Sequence, residues 1–157
     1  MLSVPSALKQ PLEGRTWQSI NIGESIASVY RLVSPSQPDL ILKFQTRDHI
    51  RTLTGEVERM RWLSGKIEVP TIIDFVQDTE KDWLLMIALP GDDATTSKLL
   101  PKDQINLLAD NLRRLHSLDV AGCPFRHSID QCIAESAEVL HAGRVDTDDF
   151  HQENVGR

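Results

Sequence analysis

Between residues 28 and 88 the hydrophobic pattern changes from alternation to three- and four-residue spacing and then back to extended runs, an order that calls for one helix lodged among several strands. Residues 17–22 alternate large and polar side chains, with Trp17, Ile20 and Ile22 as the apolar members. They read as a half-buried strand that Gly23 interrupts. A second strand spans residues 28–33. The turn-rich Ser34-Pro35-Ser36-Gln37-Pro38-Asp39 reverses the chain into a third, residues 40–45, completing an antiparallel meander. From Ile50 onward, Leu53, Val57, Met60 and Leu63 place one apolar stripe on a helix that Gly65 can end. Val69-Pro70 opens an extended run containing Ile72, Ile73, Phe75 and Val76, and a polar turn over residues 78–82 leads into Trp83-Leu84-Leu85-Met86-Ile87-Ala88. That run lacks alternation and predicts a strand covered on both faces; Leu89-Pro90-Gly91 breaks it.

Past the break the pattern is helical. Pro101 suits a first helical position, and Ile105, Leu108, Leu112 and Leu115 form an apolar stripe. Ser128 begins another helix, where Ser-x-x-Gln with Gln131 resembles a capping box. Ile129, Ile133, Ala137 and Leu140 carry that helix forward and Gly143 can end it. With every strand in the first half, the expected class is α+β. The expected organisation is a lobe of five antiparallel strands and one long helix over residues 1–89, a connector over 90–100, and the first helices of another, incomplete lobe over 101–157.

Composition narrows the partners more than the fold. At 157 residues, 40% hydrophobic and 25% charged, the chain suits one globular domain or two small lobes and is too apolar for disorder. A net charge of -6 argues against nucleic-acid binding, which needs a basic face to displace phosphate counterions, and favours a cationic ligand. The longest apolar stretch, residues 83–90, is far short of the roughly 20 residues that cross a bilayer. Residues 1–10 lack a charged start followed by an apolar core, so a soluble, cytoplasmic chain with no membrane partner is expected. Cys123 and Cys132 are too few for a disulfide scaffold and are expected to be buried thiols. His127 lies between them without a clear fourth ligand, so no metal site is expected.

Two residues carry the chemistry. Lys43 closes the strand Leu40-Ile41-Leu42-Lys43, and Glu56 lies on the following helix, on the side adjoining Val57 and Met60. Phosphoryl transfer requires a fixed cation against the α- and β-phosphates of a nucleotide, and a carboxylate on a neighbouring helix can hold such a lysine extended. Taken singly, each residue is also what a solvated strand end or an exposed helix face carries. The order is more specific: two strands around Gly23-Glu24-Ser25, a strand ending in lysine, a helix carrying glutamate, two more strands and a Pro-Gly break reproduce the topology of a kinase nucleotide lobe. In such a lobe the single-glycine loop would cover the phosphates with backbone amides and the Ser25 hydroxyl, in place of the G-x-G-x-x-G of protein kinases.

Five blocks in register carry the reading further. Residues 23–32 (Gly-Glu-Ser-Ile-Ala-Ser-Val-Tyr-Arg-Leu), residues 40–43, residues 58–63 (Glu-Arg-Met-Arg-Trp-Leu) with Val69-Pro70, residues 112–119 (Leu-Arg-Arg-Leu-His-Ser-Leu-Asp) and Cys123-Pro124-Phe125 together resemble the aminoglycoside 3'-phosphotransferases over nearly the whole chain. The resemblance implies a protein-kinase-like fold, ATP with Mg2+ as phosphoryl donor, and an aminoglycoside antibiotic as acceptor. It implies that Lys43 grips the α- and β-phosphates, Glu56 pairs with Lys43, and Ser25 sits in the loop above them. Adenine would lie against the linker, bonded to backbone groups of Ile87 and Leu89. Ile41 would face the base where some relatives place an aromatic ring, leaving apolar contact. The tail crowds Asp146, Asp148, Asp149 and Glu153 into one segment, and several carboxylates on one loop suit a polyamine. The family's acidic substrate loop begins with a similar Val-Asp-x-Asp-Asp, which makes Asp148 and Asp149 the foremost expected contacts, followed by Asp146 and Glu153.

The same resemblance marks what residues 1–157 do not contain. The family's catalytic aspartate in His-Gly-Asp, the asparagine after it and the later magnesium-binding aspartate have no counterpart, so no catalytic or metal-binding residue is expected here. His116-Ser117-Leu118-Asp119 belongs instead to the family's Leu-x-x-Leu-His block, and Asp119 is expected to be structural or surface-exposed. Without a base or metal ligands such a chain should be nearly inactive by itself. The expected function is the ATP-gripping portion of an aminoglycoside 3'-phosphotransferase. The alternatives are a non-catalytic kinase-like binding module and a kinase of the same fold acting on choline or a sugar. Exposed apolar stripes on the last helices would favour the enzyme portion over a free-standing module.

Overall fold

A computed structural model describes residues 3–21, 27–47, 52–91, 94, 96–125 and 128–145. Their elements in chain order are α1 (Ser6–Leu12), β1 (Thr16–Ser19), β2 (Ser28–Val33), β3 (Leu40–Thr46), α2 (Thr54–Leu63), β4 (Ile72–Gln77), β5 (Lys81–Ile87), α3 (Pro101–His116) and α4 (Ile129–His141). The chain divides into two compact units, Met1–Ala121 and Gly122–Arg157.

In the first unit all five strands join one antiparallel sheet in the order β1-β2-β3-β5-β4. The interior strands β3 and β5 are covered on both faces, and alternation sorts their side chains between two clusters. Leu40, Leu42, Phe44, Trp83 and Leu85 pack with Leu32 of β2 and with Leu8 and Leu12 of α1. Leu84 and Met86 pack with Leu53 and Val57 at α2, and Ile41, Met60, Ile72 and Phe75 border that second cluster. The unbroken run in β5 is therefore apolar because alternate residues serve different helices. Each fully buried leucine in it contributes roughly 2 kcal/mol of apolar burial.

Several features differ from the sequence reading. Helix α1 was not anticipated: Pro5 precedes it and Pro11 lies inside it, and prolines conceal the four-residue spacing of buried Leu8 and Leu12. Arg15 ties the end of this helix to the β2–β3 turn, donating from Nε to the Pro11 carbonyl at 2.9 Å, from Nη1 to the Pro38 carbonyl at 2.8 Å and from Nη2 to Gln37 Oε1 at 2.7 Å. Strand β1 is exposed along its whole length, not half-buried, because it is the sheet's edge and the clusters lie beneath β2, β3 and β5. Asp82, read as part of a polar turn, sits inside β5 opposite Gln45 and is fully buried.

Helix α2 begins at Thr54 after buried Leu53, and Gly65 just beyond its end has φ +78°. Ile50 and Ile22, assigned above to a helix and a strand, lie outside the described residues. Helix α3 starts with Pro101 in its first turn as expected. In the second unit α4 carries the expected capping box, with Gln131 N–H donating to Ser128 Oγ at 3.2 Å and Ser128 N–H to Gln131 Oε1 at 3.1 Å. Neither helix buries a residue, and Ile105, Leu108, Leu112, Leu115, Ile129, Ile133 and Leu140 are exposed. Cys123 and Cys132 are half-buried, not buried, since α4 and the turn before it supply no closed core. No helix among the described residues is long and apolar enough to cross a membrane.

Two carboxylates fasten the turns of the sheet. Asp39 accepts from Arg31 Nε at 2.8 Å, and Asp78 accepts from the N–H groups of Glu80 and Lys81 at 2.8 and 2.7 Å and from the Trp83 indole at 2.8 Å. The Arg31 hydrogen bond holds the Asp39 carboxyl below its ordinary pKa; for Asp78 the Glu80 N–H does most, then the indole and the Lys81 N–H. A carboxyl depressed in the folded state stabilises above its unfolded pKa and loses that contribution as pH falls through the lower folded value. The melting temperature should therefore be flat from pH 7 to about pH 5 and decline below about pH 4. Asp78→Asn should lower the neutral melting temperature and shrink the acid decline, which thermal scans between pH 2 and 7 would register.

Candidate functional site

Lys43 lies on β3 between buried Leu42 and Phe44, in register with Val29 on β2 and Leu84 on β5. Alternation puts Lys43 on the same face as Ile41, the face that packs toward α2. Glu56 occupies the first turn of α2. The two side chains meet: Lys43 Nζ is 2.7 Å from Glu56 Oε2. Their side chains are 20% and 37% exposed, so the pair is partly solvated and is worth at most about 1 kcal/mol to folding. Its consequence is directional. An ammonium with one of its three donors committed to Glu56 keeps two for another anion, and the carboxylate fixes where they point.

The end of β5 supplies backbone groups near this face. Ile41 pairs with Met86, and Leu40 with Ile87, one step further along the ladder. The Ile87 N–H donates to the Thr71 carbonyl at 2.8 Å and the Ala88 N–H to the Asp39 carbonyl at 2.9 Å. Ile87 therefore has its carbonyl, not its N–H, to offer a ligand, while Leu89 starts the exposed segment that follows. Beside Leu89 a cleft of about 520 Å³ is lined by Lys66, Ile67, Glu68, Asn111, Arg114 and Leu118 among others, and neither Lys43 nor Glu56 borders it.

The structure thus brings Lys43 and Glu56 into contact, keeps Ile41 on their face, and puts Ile87 and Leu89 at the neighbouring strand end. Ser25, Asp146, Asp148, Asp149 and Glu153 lie outside the described residues. Asp119 is exposed and accepts from the Ala121 N–H at 2.8 Å, the local turn bond of a surface aspartate. Among the described residues no group of His, Cys, Asp or Glu could hold a metal ion. Sequence reasoning passed over Asp82. Its one signal was an acidic residue immediately before the unbroken apolar run, and assigning it to a turn concealed that signal.

Comparison with known proteins converges on one kind of enzyme. A model of the phosphotransferase enzyme family matches residues 16–155. An aminoglycoside 3'-phosphotransferase from Escherichia coli is 35% identical over 96% of this chain and 58% of its own length. One from Streptomyces ribosidificus is 33% identical, over 96% and 59%. Among solved structures, that of an aminoglycoside-3'-phosphotransferase of type VIII superposes with a TM-score of 0.77 at 31% identity, covering 96% of this chain and 57% of the other. The chain thus spans somewhat more than half the length of the relatives it matches.

Proposed function

We propose, because the chain belongs to the phosphotransferase enzyme family, that it is the nucleotide-gripping portion of an ATP-dependent aminoglycoside 3'-phosphotransferase. The observation that carries the reading is the 2.7 Å contact between Lys43 and Glu56 in a five-stranded lobe of this strand order. A cation so held fits the α- and β-phosphates of ATP, and it would act by positioning them, not by reacting. Ser25 belongs in the loop above the phosphates. Adenine would rest against Ile41, with the Ile87 carbonyl accepting from its amino group and the Leu89 N–H donating to its ring. The engaged N–H groups of Ile87 and Ala88 support that choice of atoms. In this reading residues 1–89 are the nucleotide lobe, 90–100 the connector and 101–157 the start of a helical lobe. Magnesium would neutralise the phosphates when bound, but the described residues offer no ligand set for it.

The exposed apolar faces of α3 and α4 count against a free-standing binding module, which would bury them. The acceptor is a polyamine. Asp148 and Asp149, with Asp146 and Glu153 beside them, would bind its ammonium groups, in keeping with the net charge of -6. Replacing Asp148 and Asp149 together by asparagine should raise the dissociation constant for kanamycin roughly tenfold in about 0.01 M salt, where the screening length is about 30 Å, and clearly less in 0.15 M salt. Equal affinity at both ionic strengths would remove the acidic segment from the site. Titrating kanamycin and choline side by side tests the acceptor itself: choline binding without kanamycin binding would replace the antibiotic kinase with a kinase for another small molecule.

A further inference from the structure

We infer that Asp82 is a positioning residue that sets where Glu56, and through it Lys43, stands; the inference rests on the nucleotide reading above only for its functional readout. Asp82 is 0% exposed. A carboxylate so buried is costly unless both oxygens are satisfied, and here each oxygen serves a different element. Oδ2 accepts from the Leu53 N–H at 2.9 Å. Oδ1 accepts from Gln77 Nε2 at 2.9 Å and lies 3.4 Å from Arg47 Nε. Gln77 Nε2 also donates to Thr54 Oγ1 at 3.2 Å.

Those partners converge on the start of α2. Leu53 is its N-cap and has no polar side chain with which to satisfy the first amides of the helix. Asp82 instead takes the N–H of Leu53 itself, the donor that an N3 side chain takes in a capping box, and Gln77 ties the next residue to the same carboxylate. Glu56 follows Leu53 by three residues, within a single helical turn, and Val57 packs the same turn against Leu84 and Met86. Both halves of the ion pair are thereby indexed to β5: Lys43 through its ladder partner Leu84, and Glu56 through Asp82. An amide would be a poorer partner than the carboxylate. It would set its NH2 against the Leu53 N–H or, on the other side, against Arg47, which can only donate, and it would force Gln77 to turn its own amide over.

The test measures ATP dissociation constants and melting temperatures for the protein carrying Asp82→Asn, Glu56→Gln, both together, and Asp82→Asn with Gln77→Glu, which places an acceptor opposite the new amide. Asp82→Asn should weaken ATP binding roughly tenfold. That loss should vanish in the Glu56→Gln background and be largely recovered by Gln77→Glu. A loss of equal size with and without Glu56 would make Asp82 a purely structural residue and overturn the proposal. If Asp82→Asn does not fold, Gln77→Leu keeps the test, with an expected weakening of about threefold and the same dependence on Glu56. Unchanged ATP affinity in Lys43→Ala would instead remove the nucleotide reading. Amide exchange then decides the positioning claim by itself, since protection of the Val57 N–H should fall in Asp82→Asn, and unaltered protection would refute it.

Discussion

Replacing Lys43 by alanine is expected to weaken ATP binding about a hundredfold, or about 2.8 kcal/mol, while leaving the fold in place. Two charge-assisted hydrogen bonds to phosphate, each worth about 1.5–3 kcal/mol, would exceed that loss if the site were sealed. Lys43 is partly solvated, at 20% exposure, so the expectation is set toward the lower end. The fold survives because Leu42 and Phe44 carry the packing of β3, and the ion pair itself is worth at most about 1 kcal/mol. Glu56→Gln should do less, about tenfold, since it leaves the cation in place and removes only its guide. Lys43→Arg should not restore affinity, because a planar fork cannot occupy the position of a compact ammonium held at 2.7 Å from Glu56. Calorimetric titration of ATP with magnesium, paired with a thermal scan of each variant, reads all three. A folded Lys43→Ala protein with undiminished affinity would take this lysine out of the nucleotide site.

The contact between Lys43 and Glu56 was legible because it depends on local arithmetic. Lys43 sits in mid-strand, not at the strand end read from the sequence, but strand and helix periods still determine the faces it and the first-turn Glu56 occupy, and their elements β3 and α2 follow one another directly. The unbroken run from Trp83 likewise announced a strand buried on both sides. What escaped was set by tertiary contact. Leu8 and Leu12 form a helix only because a sheet face with Leu42, Phe44 and Trp83 is there to receive them, and no isolated seven-residue segment holding a proline would form one in water. Asp82 escaped for the opposite reason: its sequence neighbours Glu80 and Lys81 mark a turn, and its burial depends on Leu53, Gln77 and Arg47 arriving from three other places. Propensity describes what a residue prefers alone. Asp82 is stable because three donors converge on it.

Trp83→Ala is expected to have the largest effect on stability, about 3–5 kcal/mol, the range for removing a fully buried tryptophan. Trp83 is 0% exposed and belongs to the cluster that packs α1 onto the sheet. Its ring stacks at 4.7 Å on Phe44, which stacks at 5.9 Å on Tyr30, which meets Trp17 edge-on at 5.4 Å, so one aromatic row crosses β5, β3, β2 and β1. Its indole N–H closes the β4–β5 turn on Asp78 at 2.8 Å. Against a typical stability of about 5–15 kcal/mol, the loss would consume about a fifth of the total or more and lower the melting temperature by roughly 6–20 °C. Trp83→Phe separates the two contributions: it keeps a ring in the row and loses the indole bond, so it should cost about 1–2 kcal/mol, much less than alanine. Because Leu84 holds the register of Lys43, a loosened β5 should also blur the Lys43–Glu56 contact, and the folded fraction of Trp83→Ala should bind ATP more weakly than the wild type. Chemical denaturation of the two variants measures the difference, and an alanine variant no less stable than the phenylalanine one would show that the aromatic row contributes nothing beyond its hydrogen bond.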